Sequence, residues 1–209
     1  MITGKWVPGL VCLAALTASS CKSLNKPVPD PAHAAAPQLS PEEIMAMMQK
    51  LAAPSDGHRL LAPLAGTFRT RGEFWMQPGA PPTVAEGRSV NEWIMDGRFL
   101  QQRYESLFME APFIGMGLTG FNNETGQYEG TWIDNMSTFI MPMSTGTADP
   151  SGQVITFRRR YSQPGMNVIL TSREVITIHD DDHHTFEWFD SPPDGKELQS
   201  LRIEYTREK

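Results

Sequence analysis

Residues 154–178 read VITFRRRYSQPGMNVILTSREVITI, two alternating, β-branched runs joined by Gln163-Pro164-Gly165. Period-two alternation bounded by turn residues is the pattern of two antiparallel strands in a hairpin. The same grammar repeats on both sides of this hairpin. From Leu64 to Arg207 about ten short strand-like runs follow one another. They are punctuated at Gln77-Pro78-Gly79, Asp96-Gly97, Asn122-Asn123-Glu124-Thr125-Gly126, Asp149-Pro150-Ser151-Gly152, Asp180-Asp181-Asp182 and Pro192-Pro193-Asp194-Gly195. A meander this long must curl or close to hide its edges. The expected fold is all-β: an antiparallel up-and-down barrel of about 8–10 strands behind a short N-terminal helix. A closed barrel of that size can hold one small ligand.

Alternation also sorts side chains into inside and outside. Phe68, Thr70, Gly72, Phe74 and Met76 share one face, as do Ala85, Gly87, Ser89, Asn91, Trp93 and Met95. Leu100, Gln102, Tyr104, Ser106 and Phe108 form a third set; Tyr128, Gly130, Trp132 and Asp134 a fourth; Phe186 and Trp188 a fifth. Each apolar face marks the lumen. Two charges break the rule. Arg159 lies with Ile155, Phe157 and Tyr161, and Glu174 with Val168, Leu170, Ile176 and Ile178. An unpaired buried charge is costly, so one reading pairs these two or turns one outward at a bulge. The other has Arg159 receive an anionic head group, for which its fork is suited.

Composition narrows the rest. The chain has 209 residues, 40% hydrophobic and 20% charged, enough for one ordinary domain with a sizeable core. A net charge of −6 gives no basic face for nucleic acid, and Arg158-Arg159-Arg160 alternates across a strand instead of forming a patch. Cys12 and Cys21 are the only cysteines, so nothing after residue 21 can form an intramolecular disulfide or act as a thiol.

The N-terminus has three parts. Residues 1–20 resemble an export signal: Lys5 is the sole charge, Trp6 to Leu16 is mostly apolar, and Ala18-Ser19-Ser20 precedes Cys21. Cleavage before Cys21 would expose it for lipid attachment, as in bacterial lipoproteins, although Ala18 stands where such signals usually carry Leu. A cleaved signal without lipid and an uncleaved anchor remain the alternatives. Lys22 after the cysteine fits an outer-membrane destination, so the expected location is the periplasm or cell envelope. Residues 21–39 are a Pro- and Ala-rich stem of semi-rigid, extended character. Within 40–57, Ser40-Pro41-Glu42-Glu43 is a capping box, and Ile44, Met47, Met48 and Leu51 form one apolar stripe ended by Pro54 and Gly57. That stripe is expected to pack on a barrel mouth or wall, or to act as a Met-rich lid.

Gly97-Arg98-Phe99-Leu100-Gln101, Pro112-Phe113-Ile114-Gly115 and Thr131-Trp132-Ile133-Asp134-Asn135-Met136-Ser137-Thr138 carry a resemblance. With His58, Leu61, Leu64-Ala65-Gly66-Thr67-Phe68 and Arg173-Glu174-Val175, they make residues 58–209 similar to bacterial domain of unknown function 1579. This is a calycin-like, lipocalin-related β-barrel family. Phe68 departs from the Trp usual at that point. The resemblance implies a fold and brings no catalytic residues.

Chemistry is thinly signalled. Trp132-Ile133-Asp134-Asn135 places a carboxylate beside aromatic rings at a strand end, where it could serve as general acid or base, or simply cap a turn. Asp180-Asp181-Asp182-His183-His184 has metal-ligand types, but adjacent residues at a hairpin tip seldom converge on one ion, and a solvated turn is expected. Haem would need an axial ligand such as His. His179 falls opposite the apolar face of its strand and His58 precedes the barrel, so an internal histidine–haem site is disfavoured and a loop histidine stays open. Gly115, Gly117 and Gly120 permit strand coiling or close approach and precede no helix, so they form no phosphate loop. No cofactor or metal is expected, and no nucleophile elbow appears.

The leading expectation is a small hydrophobic or amphipathic ligand in the lumen, held by Trp93, Tyr104, Trp132 and Trp188, with Asp134, Arg159 and Glu174 as polar handles. The rivals are an enzyme using Asp134 or Glu174 as acid/base, and an envelope protein whose barrel is filled by its own side chains.

Overall fold

A computed structural model of the chain describes residues 39–209 apart from Pro164, Met166 and Asp194. The export signal, Cys21 and most of the stem lie outside the described residues. Ten antiparallel strands close into one barrel in simple chain order. They are β1 (Gly66–Phe74), β2 (Thr83–Ile94), β3 (Phe99–Phe108), β4 (Ala111–Asn122), β5 (Gln127–Asp134), β6 (Ser144–Ala148), β7 (Val154–Gln163), β8 (Val168–Ile178), β9 (His183–Ser191) and β10 (Leu198–Arg207). Closure comes from β1 pairing β10, Phe68 opposite Arg207 through Phe74 opposite Leu201, which leaves no edge exposed.

The hairpin of residues 154–178 forms as its pattern dictates, Val154 opposite Thr177 and Gln163 opposite Val168. Alternation also predicts burial. Phe68, Thr70, Ala85, Ser89, Asn91, Leu100, Tyr104 and Tyr128 all point inward and are buried. Met76 and Met95 do not follow their sets. Both lie beyond their strand ends and are exposed, Met95 in a turn with positive φ at Met95 and Asp96. A face assignment lapses where the ladder stops.

One end of the barrel is stoppered by the segment before β1. A four-residue helix, α2 (Asp56–Arg59), leads into a 3-10 turn, Ala62–Leu64, which drives Leu61 and Leu64 between Leu100, Tyr128, Ile155, Phe157 and Ile178. Polar ties hold the stopper. The Tyr128 hydroxyl donates to the Gly57 carbonyl at 3.0 Å, and the Arg207 guanidinium donates to Ala65 and Pro63 carbonyls, both at 2.8 Å. Phe68 lies just above, edge-on to His184 and Tyr205, with Arg207 over its face at 4.6 Å.

The capping box forms as read: Ser40 N–H donates to Glu43 Oε2 at 2.7 Å and Glu43 N–H to Ser40 Oγ at 3.2 Å. The helix it starts, α1 (Pro41–Ala52), is shorter than the segment 40–57, and Gly57 belongs to α2 instead of ending α1. The stripe Ile44, Met47, Met48 and Leu51 stays largely exposed, Leu51 alone of the four lies beside Phe99 and Phe121, and α1 has no buried residue. Its C-terminal end alone is fastened, at the stoppered end, where Asn123 donates to Leu51 and Ala53 carbonyls and Arg98 to that of Ala52.

Candidate functional site

Above the stopper the barrel is not filled. A cavity of about 540 Å³ runs from Leu64 and Leu100 toward the other end, where Phe74, Asp134, Gln163 and Asp190 stand at strand termini. Its volume falls within the roughly 300–1,000 Å³ that accommodates a drug-sized molecule. Exposed apolar side chains gather near this mouth, among them Leu107, Met109, Met136, Ile140 and Met143.

Trp132 covers one wall because β4 gives it room. Gly117 faces Trp132 across the β4–β5 ladder, and a Cβ there would lie 3.1 Å from the indole; a Cβ at Gly115 would overlap the ring. Close approach is the use of these two glycines. Tyr104 and Phe113 meet edge-on, and Tyr104 meets Trp132 in the same way, with centroids 6.0 and 6.5 Å apart. Trp188 contacts Tyr161 and Phe186 in the same fashion on the far wall.

Arg159 and Glu174 form the pair that alternation anticipated. Glu174 sits opposite Phe157, so the contact is diagonal. Arg159 Nε donates to Glu174 Oε1 at 2.6 Å and Nη2 to Oε2 at 2.8 Å. Both residues are buried, at 6% and 4% exposure. The remaining contacts are Nη1 to the Pro142 carbonyl at 3.0 Å, Nη2 to Ser144 Oγ at 3.2 Å and Ser172 Oγ to Glu174 Oε1 at 2.9 Å. The Arg159 carbon centre also lies 5.1 Å from the Trp188 ring. The guanidinium charge is met inside the wall.

Asp134 does two tasks at the mouth. Its Oδ2 accepts from Trp132 Nε1 and its Oδ1 from the Met136 amide, each at 3.0 Å. It caps the turn and orients the indole together. Asn135 braces the neighbouring hairpin, accepting from Ile114 N–H and donating to the Pro112 carbonyl. Trp93 stands apart from the other aromatics. It packs against the stopper cluster of Leu61, Leu64 and Tyr128 and does not line the cavity.

Several lining residues escaped the sequence reading. Asp190 accepts from Trp188 Nε1 at 2.7 Å, the Tyr161 hydroxyl at 2.9 Å and Ser200 Oγ at 2.8 Å. Ser200 reaches it from an irregularity in the β9–β10 register between Gln199 and Leu201, a device that re-aims a side chain. Burial, then the Asp190 carboxylate, pushes the Tyr161 hydroxyl far up, so it stays protonated.

His184 corrects the reading of the run before it. Only the start of the Asp180–His184 run is a solvated turn, with Asp180 Oδ1 accepting from the amides of Asp182 and His183. His184 enters β9, shares its inward face with Phe186 and Trp188, lines the cavity and is buried. A strand histidine therefore faces the lumen at a position read as part of a solvated turn. Its ring stacks on Tyr205 at 4.2 Å, and burial, with the charges of Arg207 and His179, lowers its pKa to about 3. Extending the Phe186, Trp188 alternation two residues each way would have found both His184 and Asp190.

Residues 53–207 match DUF1579, a family described as protein of unknown function. The chain belongs to this family. The DUF1579 barrel is similar to Rv2717c from M. tuberculosis, with 17% identity and a TM-score of 0.55, covering 75% of this chain and 100% of that one. That likeness shows a shared fold. The barrel also aligns with a de novo designed fluorescence-activating β-barrel at 10% identity and TM-score 0.40, covering 74% and 100% of the two chains. A redesigned barrel, mFAP0, bound to DFHBI, aligns at 13% identity and TM-score 0.35, covering 69% and 99%. No curated protein matches this DUF1579 chain.

Proposed function

We propose that this protein binds a small, largely apolar molecule in the barrel lumen without transforming it. The observation that carries the reading is the cavity of about 540 Å³, stoppered at one end, open at the other and walled by Tyr104, Phe113, Trp132, Phe186 and Trp188. A barrel filled by its own side chains would leave no such space. An acid/base role is less well supported, because each oxygen of Glu174 accepts from Arg159 and each oxygen of Asp134 accepts a local donor. Neither presents a free oxygen pair to a substrate.

The N-terminal sequence supports the accompanying proposal of export and lipid attachment at Cys21, with the barrel held at the envelope on the stem of residues 21–39. Intact mass of the chain from its own host tests it: a lipid-sized increment on a chain beginning at Cys21, lost in Cys21→Ser, is expected.

Native mass spectrometry of the same preparation tests binding. A co-purifying molecule, or uptake of phenylnaphthylamine with a rise in its fluorescence, is expected for the parent protein. Thr119→Phe, which projects a ring from the cavity wall, should abolish either signal. Binding that persists undiminished in Thr119→Phe, or none in the parent protein, would overturn the reading.

A further inference from the structure

Most polar groups along the cavity wall are already engaged with the protein. Arg159 is committed to Glu174, Ser144 and Pro142; Asp190 takes three donors and Asp134 two. Gln102 Nε2 donates to Ser89 Oγ at 2.9 Å and to the Tyr205 hydroxyl at 3.2 Å. Asn91 donates to the Leu64 carbonyl and accepts from Ser89.

His184, like Thr119 and Gln163, lines the cavity with no side-chain hydrogen bond among the described residues, and it alone of these is an aromatic ring with both a donor and an acceptor. It is 6% exposed, its ring lines the cavity near the stopper, and among the described residues no protein group hydrogen-bonds to it. Its neighbours are aromatic faces: Tyr205 stacked against it and Phe68 edge-on at 4.7 Å. Its ring nitrogens are not sealed from the lumen, so an occupant that displaces lumen water must supply them a partner or leave them unsatisfied, which is destabilising. The imidazole is neutral across physiological pH and offers one N–H and one acceptor nitrogen.

We infer that the ligand is an uncharged apolar molecule bearing a hydroxyl or carbonyl group, inserted polar end first so that this group hydrogen-bonds the His184 imidazole at the inner end of the lumen. The inference rests on the proposed lumen binding and narrows it to a ligand class. An anion meets a wall whose guanidinium is already paired, with Asp134 and Asp190 at the mouth. A cation at the inner end finds Arg207 nearby and, among the described residues lining the cavity, only carboxylates that already accept protein donors. Either ion would lose its hydration without a compensating partner.

Four naphthalenes of similar shape separate the possibilities: acetylnaphthalene, ethylnaphthalene, naphthoate and naphthylmethylamine, titrated calorimetrically at neutral pH into the full protein. Acetylnaphthalene should bind roughly tenfold or more tighter than either ion. It should exceed ethylnaphthalene by about fivefold, the scale of one buried hydrogen bond. His184→Phe, which keeps a ring against Tyr205, should erase the acetyl-over-ethyl preference. His184→Gln, which keeps a donor and an acceptor, should restore part of it. In the parent protein, the His184 ring nitrogen resonances should shift with acetylnaphthalene and not with ethylnaphthalene. Tightest binding by an ion, an acetyl preference that survives His184→Phe, or unmoved nitrogen resonances would each sink the inference while lumen binding stands. If none of the four binds, lumen binding itself falls.

Discussion

Glu174→Leu removes the partner of a guanidinium that is 6% exposed and held by two bonds of 2.6 and 2.8 Å. Arg159 would keep its donations to the Pro142 carbonyl at 3.0 Å and Ser144 Oγ at 3.2 Å, but neither is charged. Breaking a buried pair from one side typically costs about 3–5 kcal/mol, because the remaining ion is desolvated and uncompensated. Near the unfolding midpoint, each kcal/mol shifts Tm by about 2–4 °C in a domain of this size, so a fall of roughly 10 °C is expected. Arg159→Met with Glu174→Leu removes both charges. What remains unmet is chiefly Ser172 Oγ, which donates to Glu174 in the parent, a loss of about 1–3 kcal/mol. The double variant should therefore be more stable than Glu174→Leu by about 2 kcal/mol, although it carries one more substitution. Urea unfolding followed by tryptophan fluorescence, with the single and double variants fitted to a common slope, measures the difference. A double variant as unstable as Glu174→Leu, or less stable, would refute the reasoning, since the cost would then come from packing and not from an orphaned charge.

Other outcomes follow from single contacts. The folded His184 pKa of about 3 lies below its ordinary 6.5, so its neutral form contributes stability that is intact above pH 6.5 and is lost as pH falls toward 3. The full shift corresponds to at most about 5 kcal/mol, and His184→Phe should flatten that part of the stability–pH curve relative to the parent. Leu61 is fully buried in the stopper, so Leu61→Ala should lower stability by about 2–5 kcal/mol in chemical denaturation. Gly115→Val places a branched side chain where the Trp132 ring lies, so tryptophan emission should move to longer wavelength, with about 1–3 kcal/mol of stability lost. An unchanged spectrum would mean that Trp132 does not need the space β4 leaves for it.

The barrel was readable because strand alternation and turn residues are local properties. The run from Val154 to Ile178 announces its hairpin, and the shared breach of the apolar faces by Arg159 and Glu174 made their pairing one of the readings open to the sequence. The site was readable only in part. Trp132, Trp188, Tyr104 and Asp134 come to the cavity from alternation on separate strands, whereas Trp93, with an equally regular pattern, is taken up by the stopper. Which level of the barrel an inward residue occupies depends on cross-strand register, and no single strand contains that information. His184 was hidden by the polar run before it, which reads as a turn up to the residue where β9 begins.

By itself the sequence determined that the chain forms short antiparallel strands, which faces turn inward, and that Ser40 starts a helix, since neighbouring residues decide each of these. Tertiary structure alone decided that Leu61 and Leu64 close one end and a cavity remains above them, that the guanidinium of Arg159 is spent on Glu174, and that His184 is left without a protein partner among the described residues. Those are properties of distances between strands far apart in the chain, and they exist only once the ten strands have closed on one another.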